Sequence, residues 1–225
     1  YSSGTTGVPK CIVHGHGGTL VQHLKEHQLQ TNISSGDRVF YFTTCSWMMW
    51  NWLVSALGTG ATIMLYDGSP TYPDNTVLWQ FADEEEFSHF GTSAKYIETL
   101  MKDEVNPSAI FKLSNLKVIC STGSPLSAEC YDYIYNNVGY VHLASISGGT
   151  DIVSCFVLGV PNIPVRRGEI QGAGLGMAVE IWDDSGRVNR GERGELVCTK
   201  PFPSRPVKFW NDIDGRKYHA CLLYT

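Results

Sequence analysis

Four aliphatic hydroxyls, two glycines, a proline and a lysine share the ten residues Tyr1–Lys10, YSSGTTGVPK. Ser2, Ser3, Thr5 and Thr6, the backbone N–H groups around Gly4 and Gly7, and the mobile ammonium of Lys10 form a donor set suited to polyphosphate oxygens. The stretch is not a Walker loop, which requires G-x-x-x-x-G-K-[ST]: here Gly4 and Gly7 lie three apart, Pro9 precedes Lys10 and Cys11 follows it. By composition alone it also fits a mobile surface linker. Two later stretches combine donors with a chain reversal. Ser121-Thr122-Gly123-Ser124-Pro125 offers backbone that can approach a flat ring at Gly123, and Ser127 is placed to cap a following helix with its hydroxyl. Ser147-Gly148-Gly149-Thr150-Asp151 presents a hydroxyl and a carboxylate beyond a flexible turn, in isolation a common turn pair.

A rival chemistry lies in His23-Leu24-Lys25-Glu26-His27, which fits the H-x-x-E-H spacing of inverted zinc peptidases, with two imidazoles one helical turn apart. No third ligand is evident. The neighbours Gln22, Lys25, Gln28 and Gln30 give this helix the pattern of a solvated face, which weighs against zinc hydrolysis. Trp47, Met48, Met49, Trp50 and Trp52 fall on a second helical pattern, with Trp47 and Trp50 three apart on one face, a spacing that core packing also explains. Arg166-Arg167-Gly168-Glu169 is assigned no catalytic role.

These groups need a scaffold to converge. From Asp37 to about Ser147, short β-branched or aromatic runs alternate with longer helical patterns, which predicts an α/β fold with a mostly parallel sheet and flanking helices. Strands are expected near Arg38–Thr43, Ala61–Tyr66, His89–Thr92, Leu116–Ser121 and Tyr140–Ser145. Helices are expected near Thr19–Thr31, Ser46–Leu57, Thr76–Asp83, Ala94–Lys102 and Ser127–Asn137. After Gly159 closely spaced glycines punctuate Ala178–Trp182 and Glu195–Thr199, with Asp183-Asp184-Ser185-Gly186 as a hairpin turn, so the remainder reads as β-rich. The expected division is an α/β nucleotide- and acyl-binding part over residues 1–158 and a β-rich subdomain over 159–225. In an open α/β sheet, ligands sit beyond the carboxyl ends of strands. The Gly123 bend and the Thr150 turn both follow such ends.

The decapeptide closely resembles the phosphate-binding loop of the adenylate-forming superfamily, which holds acyl-coenzyme A synthetases, luciferases and peptide-synthetase adenylation domains. Three more stretches agree in order: STGSP with the adenine-contacting turn, SISGGTD with the Thr-Glu nucleotide and magnesium motif, and Gly194-Glu195-Leu196-Val197 with a downstream Gly-Glu strand. The resemblance is greatest to members that act on acetoacetate, through SWMMWNWLVSALGTGAT, SISGGTDI and VRRGEIQGAGLGMAVEIWDDSGR. It implies an acid–thiol ligase that uses ATP, Mg2+ and coenzyme A to make an acyl-adenylate and then a thioester. Ser2, Ser3, Thr5, Thr6 and Lys10 would hold the β- and γ-phosphates, and Gly123, Ser124 and Pro125 would contact adenine. Thr150 would meet the α-phosphate and Asp151 the magnesium. The family usually has Glu where Asp151 stands, so a water-mediated metal contact is expected. In acetyl-coenzyme A synthetases this turn carries bulky tryptophans. Ser147 and Gly148 hold their places here, which implies an acyl pocket, bordered by Trp47, with room for an acid larger than acetate.

Charge and composition limit the alternatives. The 225 residues carry 17 Lys+Arg against 22 Asp+Glu, a formal net charge of −5, and no Lys/Arg run exceeds two, so no nucleic-acid partner is expected. With 43% hydrophobic and 17% charged residues the chain can bury a large core. Apolar stretches end well short of the roughly 20 residues of a membrane helix, so no span is expected. Seven dispersed cysteines without a Cys-x-x-Cys pair fit free thiols in a cytosolic setting. Both ends read as cut: the first residue lies in a functional loop, Lys217–Thr225 lacks helical or strand logic, and a Tyr-x-x-Gly-Asp-type ribose motif and a carboxy-terminal lid are not found. The chain is therefore expected to be a fragment, inactive or nearly so alone, leaving a non-catalytic nucleotide-binding module as a further alternative.

Overall fold

Phe40, Phe90, Ile119 and Leu143 stand side by side on neighbouring parallel strands, and one residue along, Tyr41, Gly91, Cys120 and Ala144 form a second row facing the opposite way. The period of two along a strand thus sorts the sheet into two apolar faces. The computed structural model that shows this describes Pro9 and residues 11–188 and 191–222. In chain order the first half contains β1 (Ile12–Val13), α1 (His16–Lys25) continued by a π-helical turn at Glu26–Gln30, β2 (Arg38–Tyr41), α2 (Met48–Ser55) and β3 (Thr62–Met64). There follow α3 (Val77–Glu84), β4 (His89–Ser93), α4 (Ala94–Lys102), α5 (Pro107–Ile110), β5 (Val118–Thr122), α6 (Ala128–Asn137) and β6 (His142–Ser145). The last third holds β7 (Ser147–Gly149), β8 (Ser154–Leu158), β9 (Gly172–Ala173), β10 (Val179–Trp182), β11 (Glu195–Cys198), β12 (Lys208–Phe209) and α7 (Arg216–Leu222).

The central sheet is five-stranded and parallel in the order β3-β2-β4-β5-β6. Strands β4 and β5 lie in its middle and read as near-continuous apolar or small runs because both faces are covered. Helices α3, α4 and α6 cover the face of Phe40 and Ile119, where Trp79 stacks on Phe90 at 4.6 Å. Helix α2 covers the other, against Val39, Tyr41 and Cys120. Tyr41 lies across Gly91, where a Cβ would fall 2.0 Å from its ring, so the second row needs glycine there. Beyond β6 all pairing is antiparallel: β7-β8-β9, β10-β11, and a ribbon joining β1 to β12. The fold class is as expected. No helix among the described residues is long and apolar enough to cross a membrane.

Two local expectations fail, and one is met with a longer connection than expected. Lys217–Leu222 is helical: the Asp212 carboxylate accepts from the N–H groups of Lys217 and Tyr218, and buried Tyr218 packs on Phe209 at 5.6 Å. The turn Asp183–Gly186 forms, with Asp183 accepting from the Ser185 and Arg187 amides, but it returns the chain to a bridge at Val188 before β11 arrives. The second failure is larger. Helix α1 and its π-turn bury most of their polar residues: Gln22, His23, Glu26, His27 and Gln30 are 0–2% exposed, Lys25 is half-buried and only Gln28 stays exposed as expected, whereas Leu20, Val21 and Leu29 are 45%, 58% and 60% exposed.

The inverted face is stable because its groups satisfy one another. One oxygen of Glu26 accepts from Gln22 Nε2 at 3.1 Å, Ser154 Oγ at 2.5 Å and the Cys155 amide at 3.3 Å, with Lys25 Nζ at 3.6 Å. The other accepts the indole N–H of Trp52 at 3.0 Å. His27 donates from Nε2 to the Trp52 carbonyl at 2.9 Å, and Gln30 accepts from the Leu175 amide at 3.0 Å. A single carboxylate thereby joins α1 to α2 and to β8.

Two measurements test this arrangement. Trp52→Phe keeps the ring and removes one donor to a buried carboxylate, so urea unfolding is expected to show a loss of about 1–3 kcal/mol; an unchanged midpoint would count against the network. Burial pushes His27 down to about 3, with nearby His23 adding to the effect, and burial also lowers His23 and His89. Below about pH 6.5 the unfolded chain binds protons at these sites that the folded chain refuses. Stability is therefore greatest above that pH and falls on acidification towards pH 3, with His27 contributing up to about 1.4 kcal/mol per pH unit. Urea unfolding at pH 7.5 and 5.5 is expected to show the loss, and His27→Gln to reduce its slope.

Candidate functional site

The parallel strands end at one edge of the sheet, and the segments leaving β2, β5 and β6 there enclose a cavity of about 400 Å³. Its wall contains Trp47 from the approach to α2, Gly123, Ser124 and Pro125 from the bend after β5, and Ser147, Gly148, Gly149 and Thr150 from the stretch after β6. The bend and that stretch come from separate regions of sequence, and adjacent hydrogen bonds hold them together: Ile146 N–H donates to the Ser121 carbonyl and Thr122 Oγ1 to the Ile146 carbonyl, both at 2.8 Å. Gly123 adopts a φ of 93°, a conformation that few L-residues accept, so the bend turns with bare backbone towards the cavity.

Several site expectations change in detail. Ser147–Gly149 is not a loose turn but strand β7, paired with β8, and the reversal itself is Thr150–Val153. Pairing is possible because position 148 has no side chain: a Cβ there would lie 2.2 Å from the Ser154 carbonyl oxygen and 2.9 Å from the Cys155 Cα. At that point the cavity wall is peptide backbone. Thr150 lines the cavity, while Asp151 lines the adjoining cleft of about 550 Å³ between the turn and the segment 195–206, with Gly149 shared by both. Trp47 precedes α2 as its N-cap, in extended geometry, and its ring meets Tyr41 edge-on at 6.1 Å. Trp50 is not part of the wall. Ser127 occupies the N-cap position of α6, but its hydroxyl points to Cys130 Sγ at 3.5 Å and makes no cap bond. Ser2, Ser3, Gly4, Thr5, Thr6, Gly7 and Lys10 lie outside the described residues.

The cavity also has lining groups that sequence reasoning passed over. Leu126 contributes apolar wall, as do Gly168 from the stretch assigned no role and Ile170 just after it, whereas Met48 and Met49, already set beside Trp47 in the sequence, line it too. That stretch is tied to α6 by Tyr131 Oη donating to the Glu169 carbonyl at 2.7 Å and by Arg167 paired with Asp132 at 2.8 Å. Nothing in Arg-Arg-Gly-Glu signals a wall, because tertiary contacts place it there. Cys155 reaches the cavity from β8, and burial pushes its thiol well up, so it stays protonated at neutral pH and is no nucleophile.

The turn Thr150–Val153 is held from outside. Its own hydrogen bonds, Ile152 N–H to Gly149 and Val153 N–H to Thr150, are long at 3.3 Å each, and Val153 sits at a φ of 49°. For a β-branched residue this left-handed conformation costs on the order of 1–3 kcal/mol. Ser204 Oγ donates to the Ile152 carbonyl at 2.7 Å, and His23 Nε2 to the Val153 carbonyl at 2.5 Å.

The zinc arrangement is not assembled. Donation to carbonyls occupies Nε2 of both His23 and His27, Nδ1 of His23 faces Ser55 Oγ at 2.8 Å, and both oxygens of Glu26 are taken by protein donors. Among the described residues no group of three or more His, Cys, Asp or Glu could hold a metal ion. A magnesium ion at Asp151 would therefore draw on phosphate oxygens and water for most of its shell, which is the usual manner of Mg2+ at nucleotide sites.

Comparison with known proteins fits this geometry. A family model described as AMP-binding enzyme matches residues 1–205. The acetoacetyl-coenzyme A synthetase of Rhizobium meliloti (strain 1021) is 62% identical over 224 residues, 99% of this chain and 34% of that protein. The acetoacetyl-CoA synthetase of Gallus gallus is 55% identical over 99% of this chain and 34% of its own length. A solved acetoacetyl-CoA synthetase from Streptomyces lividans has a TM-score of 0.93 at 46% identity, covering 98% of this chain and 35% of that one. The chain spans about a third of the length of the relatives it matches.

Proposed function

The chain belongs to the AMP-binding enzyme family, and from that premise we propose that it forms the nucleotide- and acyl-binding part of an acid–thiol ligase acting on acetoacetate, ATP and coenzyme A. A carboxylate oxygen of the acid attacks the α-phosphorus of ATP, the bond to pyrophosphate breaks, and an acyl-adenylate forms. The thiol sulfur of coenzyme A then attacks the acyl carbon, AMP leaves, and the thiol proton passes to solvent. Negative charge develops on phosphoryl oxygens in the first step, so the protein acts by placing donors and holding the reactants in line.

One observation carries the reading: the Gly123–Pro125 bend and the Ser147–Thr150 stretch line a single cavity at the carboxyl edge of the sheet. In this reading Gly123, Ser124 and Pro125 take the adenine, Thr150 donates to the α-phosphate, and Lys10 with Ser2, Ser3, Thr5 and Thr6 holds the β- and γ-phosphates. Asp151 holds magnesium, whose charge offsets that of the phosphates. Trp47 and the bare backbone of Gly148 bound the acyl chamber, which is why an acid larger than acetate fits. Residues 1–158 carry these groups, and 159–225 supply a β-rich portion that contributes wall residues. The relatives' names support acetoacetate as the acid.

Calorimetric titration of the chain with MgATP tests the assignment. Binding is expected, and Lys10→Ala, Thr150→Ala and Asp151→Ala should each weaken it roughly tenfold or more, the range for losing one hydrogen bond to a charged group. In Asp151→Ala the advantage of MgATP over metal-free ATP should shrink. Equal affinity in all three variants and the parent chain would reject the assignment.

A further inference from the structure

We propose that His23 and Ser204 are positioning residues which clamp the Thr150–Val153 turn from two sides and so fix where Thr150 and Asp151 present their oxygens. The inference rests on the reading of that turn as the place of the triphosphate and its magnesium. The two carbonyls the clamp grips are consecutive, Ile152 and Val153, and each receives a single side-chain donor from a distant part of the chain. Both donors are buried, His23 at 0% and Ser204 at 2% exposure. With Val153 left-handed and the turn's internal bonds long, a free hairpin of this sequence would relax to another geometry.

The donors are themselves anchored. His23 is carried on α1 beside the Glu26 network, and Ser55 of α2 faces its second nitrogen at 2.8 Å. Burial disfavours the charged imidazole, so His23 serves as a neutral donor through Nε2, and Nδ1 lies 2.8 Å from the Ser55 hydroxyl, which itself is bonded to the Asn51 carbonyl at 2.8 Å. On the other side the Ser204 carbonyl accepts from His14 Nδ1 at 3.1 Å. His14 directly follows β1, whose pairing of Ile12 with Phe209 and Val13 with Lys208 fixes the chain as it leaves the opening decapeptide. One line of contacts therefore runs from the exit of the phosphate-loop segment through His14 and Ser204 to the turn, and a second from α1 and α2 through His23.

The test compares two probes titrated by calorimetry into the chain: MgATP, which meets the turn, and adenosine, which meets only the Gly123–Pro125 bend. His23→Leu and Ser204→Ala are expected to weaken MgATP about tenfold, as Thr150→Ala does, with adenosine affinity held within about twofold. His23→Gln, whose amide can still donate to the Val153 carbonyl, should stay near the parent value. Thermal unfolding of each variant separates this from loss of fold, and Ser204→Ala, which deletes one hydroxyl, serves should His23→Leu not fold. Parallel weakening of both probes, or MgATP binding that is unchanged in Ser204→Ala while Thr150→Ala loses it, overturns the clamp and leaves the site reading intact. Unchanged MgATP affinity in both Thr150→Ala and Asp151→Ala overturns the site reading, and the clamp falls with it.

Discussion

Glu26 is a carboxylate with no access to water, and much of the molecule is arranged to make that tolerable. An ion-sized charge taken from water without partners is prohibitively unfavourable, and the interior compensates only when hydrogen bonds saturate its lone pairs. Gln22, Trp52, Ser154 and the Cys155 amide do so from three separate elements. Since each of these donors has to face inward, α1 turns its polar side to the core and leaves leucines and a valine outside. The same requirement draws α1, α2 and β8 together, and it is β8 whose partner strand walls the cavity.

That constraint also explains which parts of the fold could be read in advance. The five central strands and their flanking helices follow from β-branched and aromatic runs between Gly, Pro, Ser and Asn, because such runs are buried on both sides whatever their neighbours do. Helix α1 could not be read this way. Its glutamines and histidines resemble a water-facing stripe, and the assumption that polar side chains seek solvent fails when they find one another. Helix α7 was hidden for a related reason: its stability comes from the Asp212 carboxylate and from Tyr218 on Phe209, contacts across a loop and not a local pattern.

That Gly123 and Thr150 line one cavity was legible because both follow the carboxyl ends of strands in a parallel sheet. The hairpin was not, since Ser147–Gly149 has no side chains that announce a strand. It pairs because glycine allows the backbones to close. Thr150 lines the cavity whereas Asp151 lines the neighbouring cleft, a distinction of one residue that only the turn geometry decides. His23 and Ser204, 181 positions apart in number, meet the same turn without any motif to connect them.

The close approach at Gly148 restricts how this chamber can diverge. Every other residue type carries a Cβ, and at this position that atom would collide with the main chain of β8 and not with a side chain able to rotate away. Reshaping the cavity through this point is thus closed to any one-residue exchange and opens only after the two strands have separated. A change in the shape of this wall would have to pass first through Ser147, Trp47 or Ile170, whose side chains can vary while the strand pairing persists.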